Sequence, residues 1–282
     1  MFAAAAPELE RAAAVDDLAR GLAKLLSNAR DPHVVVKYGS TVLRTDPATP
    51  KPNIAIAAIK KHVSGLTPRG RCLAIGRVED TIAYVLINGL EKGRCDDLVD
   101  QFAAAYASLR DTTGMIIDLR GNQGGDEVKA QAIAGHFVDK PLPYAKSEVR
   151  DAAAPGGFRP AQTRTLQPVA GVERYSKPLE VLMGPSNISS CESLLLMLRG
   201  AGARLIGERS RGSSGNPQPV DLGNGVTVLL PSWRALQIDG TPIEGNGLTP
   251  DVEVAHVETP DLADPTLTAG IAAARAAAAL PR

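Results

Sequence analysis

The segment Gly-Pro-Ser-Asn-Ile-Ser-Ser-Cys-Glu, residues 184–192, crowds four nucleophilic side chains together: Ser186, Ser189, Ser190 and Cys191. A serine hydroxyl attacks a carbonyl at neutral pH only when a neighbouring base takes its proton. Candidate bases are few, because the chain holds four histidines, His33, His62, His136 and His256. His62 follows Lys60-Lys61 and reads as part of a solvated face. His136 lies inside the apolar run Ala-Ile-Ala-Gly-His-Phe-Val and reads as core. His256 falls in a terminal strand-like segment. His33, in Asp-Pro-His-Val-Val-Val, stands where a loop enters a strand, a rigid place to hold a base. Glu244, between the turn signals of Asp-Gly-Thr-Pro-Ile-Glu-Gly-Asn-Gly, has the chemistry to orient an imidazole. Taken alone, Ser189 followed by Glu192 reads as a helix capping box, and Glu244 as a surface acid.

A second stretch, Ile-Ile-Asp-Leu-Arg-Gly-Asn-Gln-Gly-Gly-Asp-Glu at 116–127, runs from a buried strand through Gly121, Gly124 and Gly125 toward a helix. Glycines there free backbone N–H groups to meet an anion or a developing oxyanion. No Gly-Lys-Ser/Thr follows, so this is not a phosphate-binding P-loop. The chain has no His-Glu-x-x-His and no Cys-x-x-Cys, so no metal site is expected. Cys72, Cys95 and Cys191 make an odd count, which favours reduced, buried thiols over a disulfide framework.

The elements that must position these groups follow from periodicity. Residues 8–28 carry Leu9, Val15, Leu18, Leu22 and Leu25 at helical spacing. Residues 45–70 hold several prolines without a period and read as a connection. From 71 onward, strands alternate with helices: a hairpin about Glu79-Asp80, a helix over 95–111, a strand over 114–121, a helix over 126–138, a strand over 177–184, a helix over 191–202 and a strand over 203–208. Apolar strands alternating with helices imply parallel β-α units buried on both faces. Residues 141–175 lack a period and read as a long surface loop of the kind that forms lids. Gly223-Asn224-Gly225 marks a second hairpin, and an Ala-rich helix capped near Asp264 closes the chain.

Composition narrows the function. Lys plus Arg is 31 and Asp plus Glu is 31, and this zero net charge argues against non-specific nucleic-acid binding. No apolar run reaches the length of an integral membrane segment. The opening Met-Phe-Ala-Ala-Ala-Ala-Pro-Glu lacks the basic n-region of a signal peptide.

In this order, the motifs resemble those of the tail-specific, or C-terminal-processing, serine proteases, a family that includes the tricorn core protease. Gly-Met-Ile-Ile-Asp-Leu-Arg-Gly-Asn-Gln-Gly-Gly is similar to that family's Asp-Leu-Arg-Gly-Asn-x-Gly-Gly strand and loop. Ser-Asn-Ile-Ser-Ser-Cys-Glu is similar to its Ser-Ala-Ser-Ala-x-Glu segment, Leu-Ile-Gly-Glu-Arg-Ser-Arg-Gly-Ser-Ser-Gly to its Gly-Glu-x-Thr-x-Gly segment, and Asp-Gly-Thr-Pro-Ile-Glu-Gly-Asn-Gly-Leu-Thr-Pro-Asp to its Gly-Ile-x-Pro-Asp ending. The resemblance covers most of the chain from about residue 30. It implies an α/β fold, with a crotonase/ClpP-like β-α catalytic core over residues 71–282, an N-terminal helix, His-bearing strand and connection over 1–70, and a C-terminal β-rich extension.

For the site, the resemblance makes Ser189 the nucleophile. The family's Ser-Lys dyad is excluded, because Ser213 occupies the lysine's place and the last lysine of the chain is Lys177. The tricorn-like pattern remains, with His33 as base and Glu244 as acid. Pro32 stands where that pattern has a relay serine, so Asp31, Ser213 or a direct His33–Glu244 contact must replace the relay. Backbone N–H groups of Gly124, Gly125 and Ser190 are the expected oxyanion hole. The substrate implied is a peptide or unfolded protein, with no cofactor, and an oligomer is compatible with the sequence. Two alternatives are a catalytically inactive peptide binder and an acyl-CoA hydratase or thioesterase of related fold. Family members are often exported, although this chain shows no export signal.

Overall fold

The computed structural model describes residues 6, 7, 9–46, 50–256 and 263–279. Residues 1–5 and 8 lie outside that description, and with them most of the stretch read as lacking a signal peptide. In chain order the elements are α1 (Val15–Leu26), β1 (Val35–Tyr38), β2 (Thr41–Arg44), α2 (Ile56–His62), β3 (Ser64–Arg69), β4 (Leu73–Val78), β5 (Ile82–Ile87), α3 (Leu98–Arg110), β6 (Gly114–Asp118), α4 (Glu127–Ala134), β7 (Leu142–Val149), β8 (Gln162–Leu166), β9 (Leu179–Met183), α5 (Ser190–Gly200), β10 (Arg204–Gly207), β11 (Pro217–Asp221), β12 (Val226–Pro231), β13 (Trp233–Gln237), β14 (Val252–Glu253) and α6 (Pro265–Ala278).

The central sheet has seven strands in the order β14-β10-β9-β6-β5-β4-β3. Strands β5, β6, β9, β10 and β14 pair in parallel, and β3, β4 and β5 pair antiparallel. Every residue of β5, β6 and β9 is buried, as expected of parallel strands covered on both faces. One face packs on α3, α4 and α5 through Phe102, Ile133, Leu194 and Leu198. The other packs on α2 and α6 through Ile59, Leu267 and Ile271. Because β5, β6, β9 and β10 run parallel as neighbours, their C-terminal ends open at one edge. The loops leaving that edge include both motif loops, which is where open α/β sheets place their reactive groups.

The Asp-Leu-Arg of the first motif ties this edge to the end of the chain. Arg120 is fully buried. Its guanidinium bonds both carboxylate oxygens of Asp118, at 3.0 and 2.7 Å, and Asp264 Oδ1 at 2.7 Å. Asp264 in turn caps α6 by accepting from the Leu267 N–H at 2.9 Å. Removing one partner of such a buried pair typically costs about 3–5 kcal/mol, because the other charge is left uncompensated.

A four-stranded antiparallel sheet, β11-β12-β1-β2, stands beside this core. Its register brings distant segments together. Val35, at the start of β1, pairs with Leu229, and Pro217, at the start of β11, pairs with Pro231. The two strands therefore begin at the C-terminal end of β12, one on each side of it. The residues just ahead of them, His33 and Ser213–Asn216, are delivered to one place.

Several expectations are corrected. The N-terminal helix does not run unbroken from 8 to 28: α1 starts at Val15 after the extended Ala14, and Leu9 folds back against Gly21, where an added Cβ would lie 2.7 Å from Leu9 Cδ2. The 45–70 connection contains α2 and the edge strand β3, whose Pro68 suits an edge position. The 141–175 surface loop is largely a hairpin, β7 with β8, completed by β13 into a three-stranded antiparallel sheet. The long N-terminal helix reading began at residue 8, outside the described residues.

The cysteine expectation also fails. Cys72 and Cys95 form a disulfide with their Cα atoms 5.5 Å apart, leaving Cys191 free and buried. An odd count does not separate three thiols from one bridge and one thiol. The pairing arises because the β4–β5 hairpin sets residue 88 against residue 72, with the Asn88 N–H donating to the Cys72 carbonyl at 2.9 Å, and the chain then turns back to 95. Glu91 lies beside the pair, and the three form the one cluster of potential metal donors among the described residues. The bridge takes both of its thiolates. Alkylation of the denatured, unreduced protein should therefore modify Cys191 alone, and prior reduction should expose all three. Reduction should also lower the denaturant stability by roughly 3 kcal/mol, the scale for a loop of this size. Three modified cysteines without reductant would refute the bridge.

Candidate active site

The loop after β9 sorts its own nucleophiles. Ser186 is fully buried and donates to the Arg120 carbonyl at 2.6 Å. Ser190 donates to the Gly125 carbonyl at 2.9 Å. Cys191 is completely buried, and burial together with the neighbouring Glu192 pushes its thiol well up, away from thiolate. The hydroxyl of Ser189 has no protein partner among the described residues, and the residue lines a cavity of about 280 Å³. Its backbone sits at φ 58° and ψ −132°, a conformation L-residues rarely adopt. Ser189 does not cap α5 through its side chain, so the capping-box reading fails. Its N–H is instead held at 2.7 Å by the carbonyl of Ser213.

The glycine loop after β6 presses on this turn. Gly124 has φ +86°, and an added Cβ would lie 2.7 Å from the Ile188 carbonyl and 2.9 Å from Ser189 Cβ. Its N–H, one of the expected oxyanion donors, is spent on Asn122 Oδ1 at 2.8 Å. Those of Gly125 and Ser190 have no protein acceptor among the described residues, and both residues line the cavity beside Ser189. The loop is fixed from behind by Leu90, whose N–H donates to the Gly124 carbonyl at 3.0 Å and whose carbonyl accepts from Asp126 at 2.9 Å.

His33 arrives from the N-terminal strand. Asp31 Oδ1 accepts the His33 N–H at 2.9 Å, a side-chain turn of the kind Asp favours, and the intervening proline restricts it further. The ring is mostly enclosed, with 10% of its surface exposed. Its Nδ1 lies 2.6 Å from Ser213 Oγ and 3.2 Å from Asp31 Oδ1, and Ser213 Oγ donates to Asp31 Oδ1 at 2.8 Å. A ring proton on Nδ1 leaves the Ser213 proton for the Asp31 carboxylate and gives each of the three groups a partner, with the lone pair then on Nε2. Burial alone would raise the Asp31 carboxyl, but hydrogen bonds from His33 and Ser213 hold it below its ordinary value. His136 is core, as expected: its Nδ1 faces the Ala132 carbonyl at 3.0 Å, and its ring packs on Phe102 and Tyr106.

Of the three replacements for the missing relay, the structure brings Ser213 and Asp31 to the ring. Glu244 makes no hydrogen bond to His33; its Oε2 accepts from the Ser214 N–H at 3.1 Å. Partial enclosure and the nearby Asp31 push its carboxyl up, although the residue is open to solvent and the effect is screened. Ser189 and His33 are not hydrogen-bonded to each other. They are linked through Ser213, which holds one by its carbonyl and the other by its hydroxyl. Reactive pairs are often longer in the unliganded state and tighten on substrate.

One residue of the site escaped sequence reasoning as a functional group. Glu192, seen only as a capping partner and motif marker, is fully buried and accepts from Ser210 Oγ at 2.6 Å, the Gly212 N–H at 2.8 Å and the Ser213 N–H at 3.1 Å.

The family model of peptidase family S41 matches residues 81–254, and the chain belongs to that family. Among curated relatives, the carboxy-terminal processing protease CtpB of Bacillus subtilis (strain 168) is 27% identical over 177 residues, covering 62% of this chain and 34% of that protein. CtpA of the same organism is 25% identical over 186 residues, covering 66% and 37%. The chain thus spans about a third of the length of these relatives. A crystal structure of a protein from Parabacteroides merdae ATCC 43184 shares the fold, with a TM-score of 0.79 at 21% identity over 93% of this chain and 83% of that one. The photosystem II D1 C-terminal processing protease shares it at TM-score 0.51 and 22% identity, over 70% and 47%. The matched family region contains Ser189, Ser213 and Glu244 but not His33. Among the described residues no helix is long and apolar enough to cross a membrane.

The site carries a pH signature. Burial pushes the Glu192 carboxyl up from 4.5 to about 8, against the hydrogen bonds that favour its ionised form. The folded state therefore binds this proton more tightly than the unfolded chain. Its stabilising contribution is complete below the unfolded value near 4.5 and is lost as pH rises through about 8. The thermal midpoint of the wild type should fall between about pH 4.5 and 8, and level off above that, relative to that of Glu192→Gln, in which the titration is removed. Parallel curves for the two proteins would contradict the assignment.

Proposed function

We propose that the chain is a serine peptidase that cleaves peptide bonds through an acyl-enzyme, with Ser189 as nucleophile and His33 as base. The observation that carries this reading is the double use of Ser213. Its carbonyl fixes the Ser189 turn at 2.7 Å while its hydroxyl meets His33 Nδ1 at 2.6 Å.

In the first step Ser189 Oγ attacks the carbonyl carbon of the peptide and passes its proton to His33 Nε2. The ring becomes cationic, and Ser213 and the Asp31 carboxylate hold its Nδ1–H and stabilise the charge. Glu244 adds negative charge at one remove, through the Ser214 N–H. The carbonyl oxygen, now anionic, is received by the N–H groups of Gly125 and Ser190. Each such donor is worth about 10²–10³ in rate where it has been measured. Collapse breaks the C–N bond, and His33 gives its proton to the leaving amine. A water then attacks the ester by the same route, releasing acid and free Ser189. The substrate is a peptide or an unfolded protein segment, as suits this family.

The inactive-binder reading drew on Pro32, which cannot supply a relay hydroxyl. In the peptidase reading Ser213, from the segment between β10 and β11, supplies the hydroxyl instead. An acyl-CoA enzyme would use paired acids at the reacting centre in place of the serine and imidazole found here.

Ser189→Ala should lower the rate of casein hydrolysis by at least about 10³-fold and abolish labelling by a fluorophosphonate, with the thermal midpoint unchanged within a few degrees. Undiminished cleavage by that variant, or labelling of the wild type at another residue, would overturn the proposal.

A further inference from the structure

The segment 210–214, between β10 and β11, has no regular secondary structure, yet each of its backbone N–H groups has an acceptor. Ser210 donates to the Leu248 carbonyl at 3.1 Å, Arg211 to the Asn187 carbonyl at 2.9 Å, and Ser214 to Glu244. The remaining two, Gly212 and Ser213, both donate to the carboxyl of Glu192. Glu192 stands in the first turn of α5, the helix headed by Ser189, and no solvent reaches it. A buried acid is unfavourable where an apolar side chain would fill the same space. Above about pH 8, where it is ionised, the acid supplies two acceptor oxygens at fixed spacing, aimed at consecutive amides. Ser210 Oγ steadies one of them, donating to Oε1 at 2.6 Å while accepting the Leu248 N–H at 2.7 Å.

We infer that Glu192 is a positioning residue for the reaction: it holds the amides of Gly212 and Ser213 and so sets where the Ser213 hydroxyl meets His33. This rests on the reading of His33 as the base of Ser189. Nucleophile and base then share one frame, because α5 carries both Ser189 and the side chain that places the partner of His33.

The test uses the whole chain and a fluorophosphonate probe at about pH 9, above the Glu192 titration near 8, following the maximal labelling rate and the half-saturating probe concentration separately. Glu192→Gln is nearly isosteric but turns an amide N–H toward one of the two backbone donors. It should lower the maximal rate roughly ten- to hundred-fold, the scale for a small misplacement of reacting groups, with the half-saturating concentration unchanged. Ser213→Ala should slow labelling similarly, and adding Glu192→Gln to it should change the rate by less than about twofold, since both act through one contact. A Glu192→Gln rate equal to wild type, or a full multiplication of the two effects, overturns the inference. If Glu192→Gln does not fold, Ser210→Ala decides: a slower maximal rate at unchanged half-saturation supports the inference, and a wild-type rate refutes it. Labelling that persists in Ser189→Ala would remove the catalytic reading itself; loss there with an unchanged Glu192→Gln would remove this inference alone.

Discussion

The site depends on one residue being held at both ends. Ser213 offers its carbonyl to the strained turn at Ser189 and its hydroxyl to the ring of His33, and its own amide is fixed by Glu192. Each of these bonds is ordinary. Their value lies in the low conformational freedom of a segment whose backbone donors are all satisfied, which limits how far Ser213 can shift. A single loosened contact at Ser213 would move Ser189 and His33 relative to one another.

The fold makes that convergence unavoidable. Parallel neighbours β5, β6, β9 and β10 end at one edge, so the Leu90 clamp, the glycine loop, the Ser189 turn and the 210–214 segment meet there without long connections. The smaller antiparallel sheet adds the histidine, because β1 and β11 both begin at the same end of β12. The disulfide Cys72–Cys95 closes the loop that bears Leu90, which bonds the glycine loop on both its N–H and its carbonyl. Covalent bracing thus reaches the proposed oxyanion donors at two removes. Disulfides persist in oxidising compartments.

Much of this was legible in the sequence. The β-α alternation, the hairpin at Glu79-Asp80, the Asp264 cap and the core placement of His136 follow from periodicity and turn chemistry, which act locally. Ser189, His33 and Glu244 came from motif resemblance, since no local rule brings residues 33 and 189 together. The polar alternation of Gln162–Leu166 and the prolines of 50–68 hid β8, α2 and β3, because edge and covering strands owe their form to partners far along the chain. The role of Glu192 was hidden for a related reason. Its spacing from Ser189 satisfies a capping box, and only tertiary structure shows that its acceptors serve a segment some twenty residues later. Pro32 left open what meets the ring of His33; Ser213, which does so at 2.6 Å, stands at the position the resemblance gives to the lysine of the family's other branch.

The central claim, that His33 is oriented through Ser213 with its lone pair left for Ser189, is a claim about one proton. Nitrogen-15 NMR of the His33 ring in its neutral form measures it directly. The account predicts the proton on Nδ1, with a resonance shifted downfield by its bonds to Ser213 and Asp31, and a bare Nε2. A neutral ring protonated at Nε2 would contradict it.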